Sequence, residues 1–311
     1  MSNSRDPVAP DEILPDAAGS LFRRTPLAAA PAPARQARPR GRGNRVDDVP
    51  AFLIHSYPYR ETSLILDVFT RSHGRLALVA KGAKRPHSAL RPVLIAFQRL
   101  SLSWSGAGEI KTLVRAEWSG APQRLQGAAA MSGWYLNELL LRLLGRDDPH
   151  ESLYDAYVDA LARLAAHPRL SSALREFEWR LLCEIGYGFD PAATGADEPV
   201  RAGGRYRVPL EAGPELEEPE TPQLGTPITG ESLLALAAGR FDDVAAEPEL
   251  RRLLRERLDY HMNGRPMATR QVLRDLRSYP PLRADARPPG GDAGGPAEPD
   301  PTYPGKPPID R

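Results

Sequence analysis

The chain of 311 residues has a single cysteine, Cys183. That excludes an intramolecular disulfide and any all-cysteine zinc site. One thiol, expected to be buried beside Leu181 and Leu182, suits a reducing compartment. No stretch approaches the roughly 18 apolar residues of a membrane span. The N-terminus also lacks the apolar core of a secretory signal, so a cytoplasmic protein that does not enter membranes is expected. Catalytic signals are sparse as well. There is no P-loop motif, and His55, His73, His87, His150, His167 and His261 are scattered without metal-binding spacing. Asp147 and Asp148 offer adjacent carboxylates, but a helix start already accounts for Asp148. The expectation is no enzyme, no metal and no cofactor.

What is present is unevenly placed. Residues 1–48 are rich in Pro, Ala and Arg, and 281–311 in Pro, Gly and Asp, so both ends read as disordered tails. Between them, 49–120 carries ten bases against Glu61, Asp67, Glu109 and Glu117. The compensating acid lies elsewhere, notably Asp197, Glu198, Glu215, Glu217, Glu218 and Glu220. A small module with that excess is a candidate polyanion binder.

The same module reads as five short strands, Ala51–Tyr57, Ser63–Thr70, Arg75–Ala80, Val93–Trp104 and Glu109–Trp118. Five strands in so short a span suit an OB-type barrel, and an SH3-like barrel shares the count. From about 121 to 280 the period turns helical. Helices are expected over Arg124–Leu144, from Asp148 (as N-cap, with Pro149 and Glu151) to just before Pro168, and from Ser171 or Ser172 to Ile185. An acidic insert follows at about 190–228, with a small hairpin expected around Gly203-Gly204. Helices resume at Glu231–Ala238, Glu249–His261 and Thr269–Arg277. The fold class is α+β: an N-terminal OB-fold barrel, then an α-helical domain.

The most informative segment runs from Lys81 to Arg91. It is a loop between two strands, broken by Gly82 and Pro86, bearing Lys81, Lys84, Arg85 and Arg91 and no acid. A mobile basic loop beside a barrel face can follow a phosphate backbone. Tyr57, Tyr59, Phe69, Phe97 and Trp104 could offer stacking surfaces, although Phe69 and Phe97 fit the barrel core better. A second cluster, Arg251, Arg252, Arg255 and Arg257, reads equally well as a salt-bridged helix face. Arg35, Arg38, Arg40, Arg42 and Arg45 form a flexible basic arm.

Several stretches together resemble the bacterial RecO recombination-mediator family. They begin with Phe52-Leu53-Ile54-His55-Ser56 and Glu61-Thr62-Ser63-Leu64-Ile65-Leu66-Asp67-Val68-Phe69-Thr70. They continue with Gly74-Arg75, Val79-Ala80-Lys81-Gly82-Ala83 and Gly108-Glu109-Ile110-Lys111-Thr112-Leu113. The helical half adds Tyr135-Leu136-Asn137-Glu138-Leu139-Leu140, Phe177-Glu178, Gly186-Tyr187-Gly188, Gly264-Arg265-Pro266 and Thr269-Arg270. Their order and spacing cover about 50–280.

The resemblance implies a nucleoid-associated protein that binds single-stranded and double-stranded DNA and anneals complementary strands. It implies RecR as a partner in helping RecA displace single-strand-binding protein, whose acidic C-terminal tail docks on the helical domain. On that basis Arg71, Arg75, Lys81, Lys84, Arg85, Arg91 and Lys111 are the expected DNA contacts. Arg175, as the basic rim of an apolar pocket, and Arg251 and Arg255 are the expected partner contacts. The four-cysteine zinc knuckle of some members is missing, since 189–230 has no cysteine. The competing readings are a generic OB-fold RNA or DNA binder without mediator activity and, less favoured, a metal-dependent nuclease using Asp147 or Asp148.

Overall fold

The computed structural model describes residues 45–121, 124–166, 170–218 and 224–278. The expected C-terminal tail, the N-terminal tail up to residue 44 and the helix stop at Pro168 lie outside those residues.

Five strands come first: β1 (Arg45–Tyr59), β2 (Ser63–Thr70), β3 (Gly74–Ala80), β4 (Arg99–Ser105) and β5 (Ile110–Trp118). They close into a barrel in the order β1-β2-β3-β5-β4. Its one parallel seam runs between β3 and β5, from Ala77 opposite Ile110 to Val79 opposite Thr112. This closed five-stranded path is the OB-type barrel.

The unbroken apolar run at the middle of β1 has a reason in the pleat, which turns alternate residues to opposite faces. Ala51 and Leu53 enter the barrel interior with Leu66, Val68, Leu78 and Leu102. Phe52 and Ile54, joined by Phe69, face outward into a second core shared with Tyr154 and Tyr157. Phe52 and Phe69 are almost completely buried. Each contributes about 2–3 kcal/mol of apolar transfer free energy where barrel meets helices.

The strand ends depart from expectation at two places. β1 begins earlier than Ala51, because Arg45 and Val46 pair with Ser105 and Trp104 across an irregularity at Asp48, whose φ is 55°. β4 begins later than Val93. Residues 93–97 form turns closed by Leu94 N–H to Leu90 O (2.9 Å) and Ile95 N–H to Val93 O (2.8 Å). Phe97 then takes a left-handed φ of 65°, which turns the chain out of the extended path before β4.

The remainder contains α1 (Gly127–Leu143), α2 (Glu151–Ala166), α3 (Leu170–Glu184), β6 (Arg205–Val208), β7 (Glu215–Leu216), β8 (Thr226–Thr229), α4 (Gly230–Ala237), α5 (Glu247–His261) and α6 (Ala268–Ser278). α2 starts past Pro149, so Asp148 does not cap it. The acidic insert holds a three-stranded sheet with β6 in the centre. The expected hairpin is corrected accordingly: Gly204 lies in the turn before β6, and the β6–β7 connection spans 209–214. A Cβ on Gly204 would sit 2.6 Å from the Tyr206 ring, which explains the glycine there. Cys183 is exposed rather than buried. Neighbouring chain still crowds its thiol enough, with Glu184 nearby, to push it up to about 11.

Polar residues within the recognised stretches hold this scaffold together. Asn137 donates to the Ile54 carbonyl (3.0 Å) and accepts from the Tyr157 hydroxyl (2.5 Å), tying α1 to β1 and α2. Tyr135 and Arg175 both donate to Glu178 at 2.6 Å, and Arg270 donates to the Tyr135 hydroxyl at 3.2 Å. Burial pushes the Glu178 carboxyl above its usual range, against the pull of Arg175. Glu138 accepts the Ala268 and Thr269 N–H groups (2.8 and 2.9 Å), supplying from α1 the cap of α6.

Candidate nucleic-acid interface

Lys81, Lys84, Arg85 and Arg91 are all exposed, and none forms an ion pair among the described residues. The loop that carries them is built from successive turns rather than left open. Lys84 N–H reaches Thr62 O (2.9 Å), Arg85 N–H reaches Gly82 O (3.1 Å), and Arg91 N–H reaches Ser88 O (3.2 Å). Ala83 is buried at its base, and Leu90, Val93 and Leu94 pack against the barrel core at its far end. Gly82 has φ +71°, a conformation that glycine adopts without the Cβ penalty. The tip borders an open concavity of about 500 Å3 lined by Lys81, Gly82, Arg85, Pro86, His87 and Ser88. Uncommitted cations around a concavity with no acid are what a phosphate backbone requires.

The other three expected contacts, Arg71, Arg75 and Lys111, are placed differently. Arg75 donates to Asp67 (3.2 Å) and to the carbonyls of Leu141 (2.7 Å) and Leu144 (3.0 Å). It thus closes the C-terminal end of α1, where unpaired carbonyls attract a cation. Its side chain is only 14% exposed and Asp67 1%, so this pair is turned inward. Lys111 contacts Asp147 at 2.5 Å, and Arg71 reaches Glu151 (2.6 Å) and Asp155 (3.0 Å) on α2. At the same seam Gly74 has φ +66°, and a Cβ there would stand 1.8 Å from the Asp148 carbonyl oxygen. Only glycine permits that approach. Arg71, Arg75 and Lys111 therefore join barrel to helices.

The aromatics divide in the same way. Phe69, Phe97 and Trp104 are buried, whereas Tyr57 is exposed beside His55, with ring centroids 4.3 Å apart.

In the helical domain Arg175 is not on a rim. Its side chain is enclosed and paired with Glu178, because it lies on the face of α3 that packs inward. Arg251 and Arg255 are exposed on α5, Arg255 at 3.6 Å from Asp259. Arg257 is buried, its guanidinium donating to the carbonyls of Pro209 (2.6 Å), Ala212 (3.1 Å) and Tyr187 (3.2 Å) and lying over the Phe189 ring. Helical periodicity alone could have flagged it, since Arg257 shares a face with Leu250, Leu254 and Leu258.

An OB-type barrel bearing a basic loop with no ion pair among the described residues, joined to a helical domain, is an architecture suited to binding nucleic acid. Residues 48–121 match the family described as recombination protein O N terminal, and 124–271 match its C-terminal counterpart. The chain belongs to the RecO family. DNA repair protein RecO of Ralstonia nicotianae is 46% identical over 278 residues, covering 89% of this chain and 99% of the relative. The proteins of the same name from an Azoarcus species and from Paraburkholderia xenovorans are each 46% identical, covering 75% of this chain and 97% and 78% of theirs. Among the described residues no helix is long and apolar enough to cross a membrane.

Proposed function

We propose that the protein is a recombination mediator without catalytic activity. It binds single-stranded and double-stranded DNA through Lys81, Lys84, Arg85 and Arg91, and anneals complementary strands. With RecR it helps load RecA on DNA coated by single-strand-binding protein, acting in the cytoplasm at the nucleoid. The acidic tail of single-strand-binding protein docks on the helical domain, where Arg251 and Arg255 remain the exposed cations from the expected set. The observation that carries the DNA reading is the acid-free loop whose four cations have no carboxylate partner among the described residues.

The seam cations are left out of this interface, because their charge is already neutralised. Four phosphate contacts give a single-strand affinity whose log–log dependence on salt has a slope of about −3. Anisotropy of a labelled oligonucleotide between low and moderate salt measures it. A slope near zero would remove the electrostatic interface. Annealing of complementary oligonucleotides, followed without any nucleotide cofactor, tests the mediator part separately.

A further inference from the structure

An open cleft of about 1100 Å3 separates the end of β1 from α1 and the start of α6. Tyr57, Ile95, Trp134 and Val272 border it, each large, apolar and exposed by 39–47%. Apolar side chains gathered around one concavity mark a surface meant to be covered.

The β1 wall has a second property. From Leu53 to Tyr59 β1 is laddered on β2 alone, because its pairing with β4 stops at Phe52 opposite Arg99. The chain that would have continued β4 turns away at Phe97, held at φ 65° with its ring on Trp134 (centroids 5.0 Å apart). Gly133 makes room for that ring, since a Cβ there would stand 2.8 Å from it. The left-handed Phe97 carries backbone strain, and its effect is to leave a strand edge open toward an apolar cleft. Asn137 already occupies the Ile54 carbonyl, and Pro58 has no N–H, so the usable edge is His55–Tyr57.

Charge narrows the occupant. Within the cleft Arg142 is paired with Glu138, and Arg75 with Asp67. Arg124 has no ion pair among the described residues. One uncommitted cation suits a single carboxylate and is too little for a run of phosphates.

We infer that the cleft receives an extended segment of a partner protein. The segment adds as a short strand at His55–Tyr57, seats a large apolar side chain against Trp134 and Leu141, and places a carboxylate on Arg124. This site uses none of the loop cations and stands independently of the DNA reading.

The test is anisotropy on the full chain with fluorescein-labelled hexapeptides, Val, Leu, Phe or Trp at alternate positions and one Asp at either end. The best members bind saturably at about 10–100 µM. Methylating alternate backbone nitrogens weakens them about tenfold or more, as loss of strand hydrogen bonds requires. Trp134→Ser and, on the opposite wall, Tyr57→Ser each weaken binding about tenfold, and Arg124→Ala about threefold. Both walls are half-exposed, so at least one variant folds. Absence of saturable binding, or indifference to methylation or to both wall variants, overturns the inference. Displacement of the peptide by an oligonucleotide overturns it in favour of nucleic acid. A dimer abolished by Trp134→Ser overturns it in favour of a second copy.

Discussion

Arg85 and Arg75 belong to the same barrel and carry the same guanidinium, yet their surroundings differ in every respect. Arg85 stands on a turn-built loop with no carboxylate paired to it among the described residues. Arg75 is enclosed by Asp67 and by the last carbonyls of α1. Arg91 repeats the first situation, and Lys111 the second. The difference teaches that a basic excess of this kind has two components. One neutralises carboxylates and helix ends at the seam, and removing its buried members, such as Arg75, is a stability event. The other is left over, and only that part can bind a polyanion.

The contrast can be broken at several points. Arg75→Ala leaves Asp67 buried with only Arg146, 3.6 Å away, to balance it. The expected loss is about 3 kcal/mol of unfolding free energy in urea titrations, with an unchanged DNA salt slope in the folded protein. Weaker DNA binding without that destabilisation would move Arg75 into the interface.

Glu138→Gln loses the charged part of the α6 cap, about 0.5–1 kcal/mol after allowance for solvent screening. Burial alone would raise this carboxyl. The hydrogen bonds from Thr269 and Ala268, with Arg142, outweigh burial and hold it below its usual value of 4.5. A depressed folded pKa stabilises above the unfolded value, and that contribution disappears as pH falls through the folded one. The gap between wild type and Glu138→Gln should therefore close as pH falls below the usual carboxylate range in parallel urea titrations. A gap constant with pH would mean that the side chain's shape, not its charge, is what matters.

The smallest effect is expected for Arg71→Ala. Its pairs with Glu151 and Asp155 are half-exposed, and solvent weakens such pairs. Thermal unfolding and the salt slope should both stay unchanged. A flatter slope would return Arg71 to the DNA surface.

Much of the fold was legible because its signals are local. β2 and the alternation after Gly74 follow from turn chemistry and the two-residue period, and the helices from apolar stripes. The misplaced ends have nonlocal causes. Arg45 and Val46 are strand only because β4 lies opposite them. Residues 93–97 look extended in sequence but pack as turns against the barrel. The candidate site was legible only in part for a related reason. Lys81, Lys84, Arg85 and Arg91 stand together in sequence, so their clustering was visible. Arg75, Lys111 and Arg257 meet partners far along the chain, and Arg175 meets Glu178 one turn along α3, yet nothing in composition separates these four from free cations.

The central claim is that the 81–91 loop, and not the barrel's basic excess as a whole, binds DNA. The most direct measurement compares the salt dependence of single-strand binding for wild type, Lys84→Ala/Arg85→Ala and Arg71→Ala. The loop variant should flatten the slope by about 1 or more, with Arg71→Ala superimposing on wild type. An unchanged slope in the loop variant, or equal flattening in both, would contradict it.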